Sequence, residues 1–360
     1  MDMTVNRLPA PTWNWLRVNE VNLRNVPVPA EGQIETETPD TISYSYYNKK
    51  ENFSPADISG AVGADLDVLL EESDGGFHSW EIASGVKESA PVRLHFCYEA
   101  EKPVQNRIAI HACEDSEITV IMDFCGEDAA GSEQTAPQNI SDFAVVQTKI
   151  CAERGAKVHL VQIQKLPESF TFLNDTGTSC GEGAQIETIQ IVLGGGKTYM
   201  GMRTDLGTKA STLESKIGYL LDKKESLDMN YLAYHTGAKT TSRMDVSGVL
   251  RGESRKLFRG TIDFRNGSVG AKGDEKEDVL LFSEGVVNRT IPLILCEEED
   301  VEGNHGATIG RLDEALLFYL ASRGIEEEEI YEMMARARID AICNEIPDEK
   351  TRELVQGYLV

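Results

Sequence analysis

Between about residue 90 and residue 300, apolar side chains recur at every second position in short runs, and this pattern constrains the fold more than any other feature. Alternation at period two places successive side chains on opposite faces of an extended strand. Val92/Leu94/Phe96 is one run, and Ile108/Ile110, Ile118/Val120/Met122/Phe124, Val158/Leu160, Ile189/Ile191, Val249 and Leu293/Leu295 are others. About a dozen short strands are predicted. A sandwich or barrel of that many strands needs hairpin dipeptides, which are scarce here. Single glycines with polar neighbours read as the turns instead, at Gly155, Gly207, Gly218, Gly237, Gly248, Gly260 and Gly267. Turns of that kind suit coils stacked on one axis, each burying its inward face on the next. The predicted fold is mainly β, with a parallel β-helix core over residues 76–310.

The flanks read differently. Residues 1–75 form an irregular entry segment with prolines at Pro9, Pro11, Pro27 and Pro29, and only Asp65 to Glu72 reads as helical. Gly126 to Asn139 carries turn formers and no apolar period, so a surface loop is expected there. Beyond residue 310 the period becomes helical: Leu312, Leu316 and Leu320 share one face, and Gly324 supplies a stop. A second helix follows, with Glu326 to Glu329 at the positive end of its dipole and Ile330, Met333, Ala337 and Ala341 as its apolar stripe. Pro347 opens a third, short helix. Residues 311–360 are therefore expected to form a small C-terminal helical domain with apolar surface to bury.

Composition narrows the partners. Sixty acidic against 35 basic residues give a net charge of -25, which repels a nucleic-acid backbone and an anionic membrane surface alike. No apolar run approaches the roughly 20 residues that span a bilayer, and the amino terminus lacks a charged-then-apolar signal pattern. A cytoplasmic protein is expected. The seven cysteines (Cys97, Cys113, Cys125, Cys151, Cys180, Cys296 and Cys343) include no C-x-x-C pair, and their odd number argues against a complete set of internal disulfides.

Several segments invite chemistry. Gly194-Gly195-Gly196-Lys197-Thr198 resembles the end of a phosphate-binding loop, but Ile191 stands where the full pattern needs its first glycine, so a turn between strands is the better reading. His95/Cys97 and His111/Cys113 are two His-x-Cys pairs of zinc- or iron-type donors, each projecting from one strand face, which adjacent coils would have to bring together. Asp245, Asp263 and Arg265 would suit a β-helix enzyme acting on carbohydrate, although chance pairing is common among so many carboxylates. The acidic runs Glu297 to Asp300 and Glu326 to Glu329 read as solvation and helix-dipole features rather than cation ligands. No G-x-S-x-G elbow is present, and no enzyme activity is expected. His305 sits in Gly303-Asn304-His305-Gly306-Ala307-Thr308, at the junction between the last strands and the first C-terminal helix. Imidazole there can donate to a metal or pair with a carboxylate.

The stretch from His305 through Asp313, followed by Leu317-Phe318-Tyr319-Leu320 and Ser322-Arg323-Gly324-Ile325, resembles the C-terminal signature of the SufB/SufD family. His235-Thr236-Gly237, Gly248 to Gly252 and Phe258 to Ile262 resemble the family's core strands, in the family's order. The resemblance implies a right-handed parallel β-helix flanked by helical parts, and a scaffold for iron–sulfur cluster assembly that is not itself an enzyme. It implies a SufB-like partner paired through the β-helices, a SufC ABC-type ATPase docked on residues 311–360 through Leu312, Leu316, Phe318, Tyr319 and Arg323, and a cysteine desulfurase acting indirectly. The cluster would be transient on the complex, with nothing tightly bound to the isolated chain. SufB-like members carry a cysteine at Val286 and a glutamate at Gly306, so the resemblance points to the SufD-like branch; a self-pairing SufB-like scaffold is the alternative within the family. His305 is the implied cluster contributor at the partner interface, and Cys296 is a possible second donor, although an inward strand cysteine is its simpler reading. Departures are Lys276-Glu277-Asp278 before Val279-Leu280-Leu281, where the family usually has an Asn/Gln-rich segment, and Gly303, where SufD-like chains often have a cysteine.

Overall fold

A computed structural model describes residues 1–48, 54–127, 140, 142–311 and 313–359. From Phe77 to Gly310 the chain winds through about eight coils, a parallel β-solenoid in which each coil gives one strand to each of two sheets. The first coil is Phe77–Ile82 with Val92–Tyr98, and the last is Val287–Cys296 with Val301–Gly310. Neighbouring coils pair in parallel, so residues on one face stack in columns, as Ile110, Ile150 and Thr178 do. Val92, Leu94, Phe96, Ile118, Val120, Met122, Phe124, Val158 and Leu160 all lie in the single core that runs along the lumen.

Among the described residues sixteen strands build the coils, more than the apolar pattern predicts. The surplus has a physical cause, because part of the lumen is polar. Asn174 and Gln190 both donate to Gln162 Oε1, at 3.0 and 2.7 Å, and the Tyr231 hydroxyl donates to Gln190. Inward Thr, Asn and Gln hide a strand from a search for apolar alternation. Ile189, Ile191 and Val249 belong to outer faces rather than the lumen, and helices cover them. Gly218, Gly248 and Gly260 are not turn glycines; they lie inside strands, where a β-carbon on Gly218 would meet Ile342 at 2.8 Å and one on Gly248 the Tyr219 ring at 2.3 Å. The glycine run at 194–196 does form a turn between strands, with positive φ at Gly194 and Gly195.

The entry segment is more ordered than its prolines suggest. It contains α1 (Ala64–Glu72) and five short strands, two of which close the first coil: Ile42–Tyr47 pairs antiparallel with Phe77–Ile82, and Glu35–Glu37 with Val92–Tyr98. Ala30–Glu31 pairs in parallel with Val104 and Gln105 within the ten-stranded sheet, and α1 and the first residues lie as a strap along that sheet's outside. Gln147 donates to Asp67, the backbone of Ala61 and Val62 donates to Asp175, Asn6 donates to Asp228, and Arg259 donates to the Val18 carbonyl at 2.7 Å. These polar side chains point out of the solenoid yet are buried, because the strap covers and satisfies them.

Three helices follow the last coil: α2 (Glu314–Ser322), α3 (Glu327–Cys343) and α4 (Glu349–Tyr358). Helices α3 and α4 lie against the flank of the nine-stranded sheet, where Ile339, Ile342, Cys343, Ile346 and Val355 cluster with Ile121, Val161, Ile163, Ile191 and Leu193. The buried face of α3 is therefore Ile330, Ala335, Ile339 and Ile342; of the predicted stripe, Met333, Ala337 and Ala341 are exposed. Larger branched side chains gain more from burial than alanine does and choose the face. Glu326 and Glu329 form a capping box at the start of α3. The predicted loop falls mostly on residues 128–139, and Leu312 on a single position; both lie outside the described residues.

Candidate functional site

The two ends of the solenoid differ. The first coil is closed on both sheets, whereas Val287–Cys296 and Val301–Gly310 are the terminal strands of their sheets, with no further strand beyond them among the described residues. Ten-residue strands at the edge present rows of unpaired backbone donors and acceptors.

His305 lies in the middle of that final strand. Its parallel partner is Glu275, one coil back on Ala271–Leu281, where the residues at 271, 273, 275, 277 and 279 are all buried toward the lumen. His305 therefore projects over the open mouth of the lumen, with its side chain 26% exposed and Nδ1 3.2 Å from Glu275 Oε1. That oxygen is buried and completes no hydrogen bond. Burial pushes the Glu275 carboxyl up to about 8, with repulsion from Glu277 adding and Lys256 opposing. Beside it on the same strand, Glu277 forms a buried ion pair with Lys256, and Thr290 of the final coil donates to the same carboxylate at 2.5 Å. Desolvation pulls the Lys256 ammonium down, against the attraction of Glu277. The mouth is thus a polar cup, lined by Glu275 and the Lys256–Glu277 pair and rimmed by His305. The departure at Lys276-Glu277-Asp278 belongs to it, since Glu277 is one of its buried groups.

Cys296 is exposed on the opposite sheet of the same coil, and its Sγ lies 3.1 Å from the Glu298 carbonyl. It stands in register with the lumenal Phe264, so it faces the same mouth. Ile294, not Cys296, packs across from Gly303, which puts the cysteine one same-side position further from His305. Gly306 points outward from the final strand, and a β-carbon there would meet nothing. Val286 packs against the core just before the last coil.

Helix α2 buries no residue. Leu316, Phe318 and Tyr319 are 41, 77 and 53% exposed, and the Arg323 guanidinium stacks over the Tyr319 ring. Such an apolar patch on a helix capped by Asp313 is a surface awaiting cover.

The other candidates resolve separately. His95/Cys97 and His111/Cys113 lie on different sheets and are not brought together. His95 bonds Asp123 at 3.0 Å, with Cys125 on its other nitrogen at 3.7 Å. Asp245 and Asp263 also fall on different sheets, each held by an arginine two residues away, Arg243 or Arg265, so they form no acid–base pair for glycoside chemistry. His235 is buried between Thr240 and Ser242, and its pKa is pulled down to about 4 by desolvation, which makes it a core residue. No helix among the described residues is long and apolar enough to cross a membrane.

Comparison with known proteins gives a consistent result. The family described as SUF system FeS cluster assembly, SufBD core domain, matches residues 95–338, more than half of the chain. The iron-sulfur cluster assembly protein SufD of Bacillus subtilis is 22% identical over 76% of this chain and 61% of its own length. The SufB protein of the same organism is 24% identical over 86% of this chain and 70% of its own. A SufBD family protein of Mycobacterium bovis is 26% identical over 74% of this chain but only 30% of its own length. The chain thus spans less than two thirds of the first and last of these relatives.

Proposed function

Because the chain belongs to the SufBD family of iron–sulfur cluster assembly proteins, we propose that it is a non-catalytic scaffold subunit of a SUF complex, working in the cytoplasm, whose open final coil meets a SufB-like partner. The observation that carries this reading is the asymmetry of the solenoid, closed at its first coil and open at its last, with His305 and the buried Glu275 at the open mouth. A partner solenoid that pairs with the exposed strands satisfies their backbone groups and encloses that mouth. His305 then supplies one donor to a cluster whose other donors come from the partner, and Cys296 is a second donor from this chain. Imidazole and thiolate are donor types that suit iron as the cargo of such a site.

The assignment to the SufD-like branch is supported by Val286 and Gly306, which leave this chain without the cysteine and glutamate of SufB-like members. The SufC ATPase would dock on residues 311–360, with Leu316, Phe318, Tyr319 and Arg323 of α2 and the preceding Leu312 as the contact. A cysteine desulfurase would deliver sulfur to the assembled complex, and the cluster would leave without a resident cofactor remaining on this chain.

Co-expression with SufB- and SufC-like proteins tests the proposal. His305→Ala is expected to preserve folding and SufC retention while cluster formation on the complex falls. A normal cluster yield from that variant removes the donor role. A stable complex made of this chain and SufC alone, with the final strands paired between two copies, would favour self-pairing instead.

A further inference from the structure

We propose that Glu81, His111 and Cys113 form a binding site for a zinc-class divalent cation, held in orientation by Glu153. One carboxylate oxygen, one imidazole nitrogen and one sulfur from these three residues all lie within 4.8 Å of one another. A tetrahedral ion with bonds of 2.0–2.3 Å holds its ligands about 3.3–3.8 Å apart, so small side-chain rotations close the site. Thiolate, imidazole and carboxylate together select a borderline cation such as zinc over calcium or magnesium.

The solenoid register builds the cluster. Glu81 of the first coil and His111 of the second are parallel partners on the outer face, and Cys113 follows where the strand Val104–Ala112 ends. Glu153 stands in the turn after Phe143–Ala152, one coil further on. The two imidazole nitrogens are occupied differently. His111 Nε2 lies 3.0 Å from Glu153 Oε1, while Glu153 Oε2 accepts from the Glu114 backbone N–H at 3.0 Å. An Nε2–H donated to an anchored carboxylate fixes the tautomer that leaves the Nδ1 lone pair for a metal, the usual outer support of a ligating histidine. Nδ1 is the atom that faces Glu81, at 2.9 Å. The fourth position stays open to water, since Glu81 is exposed and the other two are half-buried. Binding displaces the thiol proton of Cys113, and the proton on Nδ1 when the imidazole is charged, to solvent.

The site lies six coils from His305, roughly 30 Å at the spacing of adjacent strands, so it is independent of the proposed cluster role. Its effect is to clasp the first coils to one another.

The full chain, freed of metal with a chelator, is titrated with Co²⁺ and followed by absorption. Expected are visible d–d bands, a near-ultraviolet thiolate-to-cobalt band, displacement by Zn²⁺, and a Zn²⁺-dependent rise in melting temperature. Cys113→Ser is expected to remove the thiolate band, and His111→Ala to weaken Co²⁺ binding at least tenfold. Glu153→Gln is expected to weaken it by about 10–100-fold while leaving the metal-free melting temperature unchanged. No cobalt spectrum, or a thiolate band that survives Cys113→Ser, overturns the proposal and leaves His111 as a hydrogen-bonded bridge between two glutamates.

Discussion

Gly260 and Glu275 face each other across the lumen so closely that a β-carbon on the glycine would stand 2.0 Å from Oε2 of the glutamate. The buried carboxyl beneath His305 therefore rests against bare backbone. Gly260→Ala must push that carboxyl aside, and overpacking of this kind costs about 1–3 kcal/mol. The expected result is a lower urea midpoint with an unchanged slope; an unshifted midpoint would show that Glu275 relocates freely.

Two buried groups set opposite pH dependences. Glu275, at about 8 when folded against an ordinary 4.5, keeps a proton that the unfolded chain releases, so its contribution declines as pH rises between those values. His235, at about 4 against 6.5, resists a proton that the unfolded chain accepts, so its contribution is lost as pH falls through that window. Glu225, which burial pushes up to about 7, declines with Glu275 over the lower part of that range, so the share that belongs to Glu275 stands clear between about pH 7 and 8, at no more than about 1.4 kcal/mol per pH unit. Glu275→Gln should flatten that decline in urea titrations at stepped pH. A variant that declines as steeply as the parent contradicts the assignment.

Arg259 is fully buried and bridges the Asp228 carboxylate to the strap at Val18. Arg259→Ala leaves that carboxylate buried without its guanidinium, a loss of about 3–5 kcal/mol. Limited proteolysis should then cut within residues 1–62 well before the coils; equal cutting rates in parent and variant would mean that the strap is held elsewhere.

On α3, Ile339→Ala is expected to cost about 2–5 kcal/mol, because Ile339 is buried among the outward isoleucines of the sheet. Met333→Ala, on the exposed face, should change stability by no more than about 0.5 kcal/mol. Thermal melts of both variants decide between the two helix faces, and reversed magnitudes would restore the stripe predicted from sequence.

What could be read from the sequence was the part dominated by one interaction. Val92/Leu94/Phe96 and Ile118/Val120/Met122/Phe124 alternate cleanly because only the lumen buries them, so strands and coil stacking followed directly. Asn174, Gln190 and Thr188 also face inward, but the first two donate to Gln162 and the third to Ser215, partnerships across coils that are invisible in one dimension. Ile189 and Ile191 had the right period and the opposite face, since α3 and α4 supply a second core that sequence spacing does not announce. At the candidate site His305 was legible through its neighbours in sequence. Glu275 was not, because 30 positions separate it from His305 and only the coil length makes them partners. A count of inward carboxylates in Ala271–Leu281, where Glu275 and Glu277 interrupt a lumenal column, was the signal that could have marked it.

The strap has a consequence for the order in which the molecule assembles. Coils of a solenoid touch only their neighbours and can form in succession as the chain emerges during synthesis. The first 62 residues cannot finish in that order, because their anchors Asp175, Asp228 and Arg259 arrive more than a hundred residues later. A segment made before the coils is thus among the last to settle, and its docking couples coils that would otherwise melt one by one.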